Sequence, residues 1–186
     1  MRTIYFITSN NGKLHEVQTR LRPLNIDVIQ KNIGYPEIQV KSLEEVATYG
    51  IEQVRYRVDH PFILEDTGIF IDALKGFPGV YAAYVYQTIG LDGILHLLDG
   101  ISSEKRRAVF RSVFGYGNPE GSTHLFIGEC KGMIGLEKNG TKGFGYDPIF
   151  IPEGKKHTFA EMSTKEKNTQ SHRGRALEKL ISFLSE

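Results

Sequence analysis

Residues 3–21 read TIYFITSNNGKLHEVQTRL, and this stretch decides the fold class. Thr3 to Thr8 is rich in β-formers and apolar on both faces, the mark of a buried strand. Ser9-Asn10-Asn11-Gly12 is a turn-forming cluster whose side chains also cap helices. Leu14, Val17 and Leu21 then recur at helical spacing until Pro23 stops the run. A second strand follows at Asp27 to Gln30. Strand, polar loop, helix and strand in that order open an α/β fold.

Further along, a longer helix begins at Ser42. Ser42 and Glu45 form a capping box, and Leu43, Val46, Ala47, Gly50, Val54 and Val58 share one face. After Pro61, Phe62 to Leu64 reads as a buried strand that runs into Glu65-Asp66-Thr67-Gly68. A second short strand is expected from Ile69 to Leu74. Gly76-Phe77-Pro78-Gly79 is a turn. Helices are expected from Tyr81, and again around Ile94, Leu95, Leu97 and Leu98, closed by Gly100. Arg106 to Tyr116 and Thr123 to Ile134 make an antiparallel hairpin about a turn at Gly117 to Gly121. A glycine-spaced loop, Gly140 to Gly145, leads to a short strand at Ile149 to Ile151. A polar stretch, Pro152 to His172, precedes a last amphipathic helix carrying Ala176, Leu177, Leu180, Ile181 and Leu184. The expected architecture is a mixed α/β sheet with a β-hairpin insertion, forming two lobes around a cleft.

Composition bounds the function. The 186 residues are 40% hydrophobic and 24% charged, ordinary for a globular chain of one domain or two closely joined lobes. A formal net charge of +1 lacks the basic excess of a general nucleic-acid binder, so no nucleic-acid polymer is expected as a partner. Cys130 is the single cysteine, which excludes an internal disulfide and suits a reducing, intracellular setting. It sits in a strand-like run and reads as packing. The opening apolar stretch is too short for a signal peptide, and no run approaches the ~20 residues that span a bilayer. The expectation is a cytoplasmic protein with no membrane partner.

Three polar clusters sit where α/β proteins bind ligands. Thr8 to Lys13 puts a small polar loop and a cation at a helix N-terminus, which suits a phosphate chain. It lacks the Walker A spacing, and it also reads as a helix cap with an exposed lysine. Glu65-Asp66-Thr67-Gly68 offers adjacent carboxylates, with Glu37 as a third from another loop. Hard oxygen ligands of this kind bind magnesium together with substrate phosphates, and a neighbouring carboxylate can take a proton from water. The same residues also read as solvated loop acids. Gly143-Phe144-Gly145-Tyr146-Asp147-Pro148, followed by Lys167 and by Ser171-His172-Arg173, could approach a base closely. Phe144 or Tyr146 would stack on it, and His172 and Arg173 would donate to a carbonyl oxygen. A tight turn and a helix cap are the plain alternative.

With these clusters in view, the sequence closely resembles the inosine triphosphate pyrophosphatase family. The matching segments are TSNNGKLHE (8–16), EDTGIFIDALKGFPGVY (65–81), GFGYDPIF (143–150), FAEMSTKEKN (159–168) and SHRGRAL (171–177). The resemblance implies a magnesium enzyme, usually a homodimer, with an elongated mixed β-sheet flanked by helices and a central cleft between two lobes of one domain, 1–186. It implies hydrolysis of inosine, deoxyinosine and xanthosine triphosphates to monophosphate and pyrophosphate. By motif, Thr8, Ser9, Asn10, Asn11, Gly12 and Lys13 would hold the triphosphate. Asp66 would be the acid–base residue and a metal ligand, with Glu37 assisting at the metal. Thr67 would touch substrate, and Phe144, Gly145, Tyr146, Asp147, Lys167, His172 and Arg173 would surround the base and phosphates. One departure stands out. Many members follow PGVY with Ser-Ala-Arg, but here Tyr81 is followed by Ala82-Ala83-Tyr84, so any phosphate contact of that arginine is absent or supplied elsewhere.

Glu65 and Asp66 are consecutive on a strand-like segment, so their side chains should point to opposite faces. Asp66 is expected to face the cleft, with Glu65 behind it or on a distinct metal. Selectivity follows from complementarity. Inosine and xanthosine carry an acceptor oxygen at purine position 6, whereas adenosine carries a donor there. Donors from His172 and Arg173 would pair with the first and be stranded by the second, at roughly 1–3 kcal/mol each. Two rivals are a related pyrophosphatase for modified pyrimidines or methylated bases, and a non-catalytic nucleotide sensor. The SHR and GFGYD motifs weigh against the first, and the Glu65-Asp66 pair against the second.

Overall fold

The opening run folds as its pattern dictates. In the computed structural model, which describes residues 2–36 and 38–186, strand β1 is Arg2–Ile7 and helix α1 is Asn11–Leu21. Asn10 caps α1, its side chain accepting from the Lys13 amide at 3.0 Å. Thr8 Oγ1 in turn accepts from the Asn10 amide at 3.1 Å. After a 3-10 turn at Arg22–Leu24, β2 (Ile26–Lys31) lies parallel to β1 in the register Arg2↔Ile26 to Ile7↔Lys31.

Helix α2 is Leu43–Arg55, and the Ser42 hydroxyl accepts from the Glu45 amide while donating to its carboxylate. Its buried face runs through Leu43, Ala47, Gly50, Ile51 and Val54. Val46 is only partly covered, and Val58 falls beyond the helix end.

The next segment departs from expectation. Phe62–Ile71 is one unbroken strand, β3, so Glu65-Asp66-Thr67-Gly68 lies inside a strand rather than in a loop between two. Gly68 has a different purpose from turning the chain. A Cβ there would lie 2.5 Å from the carbonyl oxygen of Gly79, so glycine lets the short strand β4 (Pro78–Gly79) pair antiparallel with β3. Helices α3 (Ala82–Thr88) and α4 (Gly90–Leu97) follow.

The hairpin of β5 (Arg107–Gly117) and β6 (Thr123–Ile134) is no insertion. The seven-stranded sheet runs β2-β1-β3-β5-β6-β7, with β4 beside β3, so the hairpin continues the main sheet. β7 (Phe150–Pro152) closes it antiparallel to β6. The sheet is mixed, since β1 is parallel to both β2 and β3, and helices flank it. The polar stretch before the last helix holds a further helix, α5 (Thr164–Gln170), with a full capping box between Ser163 and Glu166. The last helix, α6, is His172–Ser185. Among the described residues no helix is long and apolar enough to cross a membrane.

The chain divides into two compact units. The first is Met1–Asp66, Val113–Ile127 and Ala176–Glu186, with a core that includes Ile4, Phe6, Val17, Leu21, Ile63, Phe114, Leu177 and Leu180. The second is Thr67–Ser112 and Gly128–Arg175, with a core that includes Ile69, Ile94, Phe110, Ile134, Tyr146, Phe150 and Phe159. Cys130 belongs to this second core, and burial pushes its thiol up to about 11, as expected of a packing residue.

Candidate active site

In the first unit, α1 presents its N-terminus through exposed Ser9, Asn10, Asn11 and Gly12, with no acidic residue in the first turn. Free amides and the positive end of the helix dipole therefore face outward unopposed. Lys13 reaches β3. Its Nζ lies 2.5 Å from Glu65 Oε2 and 3.2 Å from the Glu65 carbonyl. The Glu65 side chain is fully buried, and this cation balances its charge.

Asp66, the next residue, is half-buried and has a different neighbour. The phenol of Tyr35 donates to Asp66 Oδ2 at 2.8 Å. Consecutive carboxylates thus have separate partners, as strand alternation requires. Glu37 lies outside the described residues. Among those described, no group of three or more His, Cys, Asp or Glu gathers as a metal cage. A magnesium ion does not need one, because one or two carboxylates plus substrate phosphates suffice. Asp66, a half-buried carboxylate, is of the donor type that such an ion takes.

In the second unit, Gly143-Phe144-Gly145 turns tightly. Gly143 has φ 76°, and a Cβ there would lie 2.0 Å from Asp147 Oδ2. That oxygen accepts from the Phe144 amide at 2.8 Å and pairs with Lys167 Nζ at 2.6 Å. Asp147 is buried and ties the loop to α5. Phe144 is 48% exposed, with Lys167 Nζ 4.8 Å and Arg173 Cζ 5.2 Å from its ring centre.

Tyr146 departs from its expected role. It is 4% exposed in the core, its hydroxyl donates to the Ala82 carbonyl at 2.8 Å, and burial raises its pKa. A ring so enclosed cannot stack on a base, which leaves Phe144 as the available platform. Tyr84, where the resemblance led us to expect arginine, is an exposed residue of α3.

Ser171 caps α6, accepting from the Gly174 amide at 3.0 Å. His172 and Arg173 are therefore released from the capping role that was their plain alternative. His172 stacks on Phe110 at 4.4 Å between centroids and 8° between planes. Arg173 is buried to 4% exposure, and its Nη2 donates to Thr67 Oγ1 at 3.4 Å. Thr67, Phe144, Lys167 and Arg173 are thus brought together, with His172 beside Arg173 on α6. A separate hollow lined by Lys155, His157, Glu161, Met162 and Gln170 contains none of the expected site residues.

A family model described as the Ham1 family matches residues 4–183. The chain belongs to the Ham1 family. Ham1 relatives include the dITP/XTP pyrophosphatase of Thermococcus kodakarensis, 54% identical over 97% of this chain and 96% of that protein. The dITP/XTP pyrophosphatase of Pyrococcus horikoshii is 52% identical over the same shares. A solved Ham1 structure from Coxiella burnetii superposes with a TM-score of 0.90 at 30% identity, covering 100% of this chain and 99% of that one. The family resemblance read from the motifs is borne out, as is the mixed sheet flanked by helices.

Within this Ham1 chain, sequence reasoning missed Tyr35. It took only Glu37 from that loop. The position of Tyr35 between two prolyl and glycyl turn residues, Gly34 and Pro36, was the available signal of a fixed loop residue.

Proposed function

We propose that this protein hydrolyses non-standard purine nucleoside triphosphates, inosine, deoxyinosine and xanthosine triphosphates among them, to monophosphate and pyrophosphate. The observation that carries this reading is the end-to-end match to proteins named dITP/XTP pyrophosphatase, at 54% and 52% identity. The geometry supports it with chemistry suited to each part of such a substrate.

The first unit's residues take the phosphates and water. The α1 N-terminus, Thr8 to Lys13, receives the triphosphate. Lys13 donates to the Glu65 carbonyl and pairs with its carboxylate, and its remaining donor capacity serves a phosphate oxygen. Asp66 accepts a proton as water attacks the α-phosphorus. The new O–P bond forms as the bond to the bridging oxygen breaks, and pyrophosphate leaves with that electron pair. Asp66 and Glu37 are the residues to hold magnesium, which when bound supplies charge neutralisation and polarises the phosphoryl group.

The second unit's residues take the base. Phe144 stacks on it, while Arg173 and His172 donate to the oxygen at purine position 6. Thr67 and Asp147 hold Arg173 and Lys167 in place. An adenine amino group would leave these buried donors opposed by another donor. We also propose a cytoplasmic homodimer, for which light scattering at micromolar concentration is the check.

A substrate panel tests the reading. Pyrophosphate release in magnesium should be fast with inosine and xanthosine triphosphates and at least about a hundredfold slower in kcat/KM with adenosine triphosphate. Equal kcat/KM with inosine and adenosine triphosphates would remove the base-reading role.

A further inference from the structure

Glu161 lies in the FAEMSTKEKN segment, 159–168, exposed and outside the loop that carries Phe144. Its carboxylate closes a turn over 158–161. Glu161 Oε2 accepts from the Thr158 amide at 2.7 Å, and the Glu161 amide donates back to the Thr158 carbonyl at 3.1 Å. The bond from the Thr158 amide holds the Glu161 carboxyl below its ordinary 4.5. Thr158 itself is 1% exposed, so its amide needs an acceptor within the protein.

The turn grips the loop 139–147 at its start, middle and end. Thr158 Oγ1 donates to the Asn139 carbonyl at 2.7 Å. The Ala160 carbonyl accepts from the Lys142 amide at 3.0 Å, and the Ala160 amide donates to the Asp147 carbonyl at 3.3 Å. Gly140, at φ 82°, lets the two backbones meet, because a Cβ there would collide with the Ala160 carbonyl. Asp147 passes the hold to Phe144. Its Oδ2 accepts from the Phe144 amide at 2.8 Å, and its own amide donates to the Phe144 carbonyl at 3.3 Å. The Phe144 backbone is thus fixed on both sides while its ring stays 48% exposed. We propose that Glu161 is a positioning residue for base recognition, setting through its turn the loop that presents the Phe144 ring. This inference rests on the reading of Phe144 as the platform for the base.

The rival is a purely structural role, in which the turn only stabilises the fold. The experiment compares the wild type, Glu161→Ala, Phe144→Ala and the double variant. It measures magnesium-dependent pyrophosphate release from inosine triphosphate. Calorimetric binding of inosine 5′-(α,β-methylene)triphosphate, which cannot be cleaved at the α–β bridge, gives a readout independent of turnover. Competitive inhibition by inorganic tripolyphosphate, which has no base, reports on phosphate binding alone.

Glu161→Ala should raise KM for inosine triphosphate and weaken analogue binding about tenfold, the scale of a lost base–aromatic stack. Its kcat and its inhibition by tripolyphosphate should stay within about twofold of wild type, since only binding of the base has been lost. In the Phe144→Ala background it should add little, as expected of residues acting in series. Unchanged analogue affinity in Glu161→Ala overturns the inference. So does an equal weakening of tripolyphosphate inhibition, the mark of a general loosening, and so do fully additive losses in the double variant. If Phe144→Ala weakens the analogue and Glu161→Ala does not, only the positioning role fails. If Phe144→Ala binds the analogue as tightly as wild type, the stacking reading falls and this inference falls with it.

Discussion

Glu65 and Asp66 are chemically near-identical neighbours made different by their partners. Glu65 is buried against Lys13, while Asp66 is half-buried under a neutral phenol. In the proposed function the acid–base role falls to Asp66, the half-buried member of the pair. Asp66→Asn should reduce kcat by about a hundredfold or more, the usual worth of a general base. Binding of the α,β-methylene analogue should persist; near-normal turnover in this variant would remove the assignment. Lys13 should matter to stability as well as to substrate. Lys13→Met leaves the Glu65 carboxylate buried without its cation, at a cost of roughly 3 kcal/mol. Urea denaturation would measure this, and adding Glu65→Gln should recover part of the loss. At the other end of the substrate, Arg173→Ala should relax discrimination against adenosine triphosphate by about tenfold or more. Steady-state kinetics with both nucleotides is the check, and unchanged selectivity would count against base reading by Arg173.

At the scale of elements, legibility followed the strength of local signals. The first strand, first helix and hairpin were readable because apolar periodicity and turn residues agreed. Strand β3 was misread as two pieces, because Gly68 signals a turn locally. Its actual reason is tertiary, the approach of the Gly79 carbonyl. Helix α5 was missed because Thr164–Gln170 has no buried residue and so no apolar stripe. Its capping box, Ser163 with Glu166, was the signal that remained. The three motifs were legible as chemistry, but Tyr146 looked like a stacking ring until its burial was visible, and the Tyr35 contact spans 31 residues of sequence.

Helix α5 also makes a pH prediction. Hydrogen bonds from the Ser163 hydroxyl and then its backbone amide hold the Glu166 carboxyl below its ordinary 4.5. A lowered carboxyl pKa means the cap is fully present above 4.5 and is lost as pH falls through the lowered value. Carbon-13 titration should find the Glu166 midpoint below 4.5, and Ser163→Ala should return it toward that value. A midpoint at or above 4.5 in the intact protein would contradict the cap.

For the whole molecule, the proposed function divides its labour as the chain divides. The boundary between the two compact units falls between Asp66 and Thr67, within β3. Phosphate and water chemistry is assigned to residues of the first unit, and recognition of the base to residues of the second. Each unit has its own apolar core, so each set of side chains is held by local packing. The central claim is that the bond broken is the one between the α- and β-phosphates. Chromatography of the products from inosine triphosphate in magnesium tests it most directly. The account predicts equimolar inosine monophosphate and pyrophosphate; inosine diphosphate with inorganic phosphate, or no turnover at all, would contradict it.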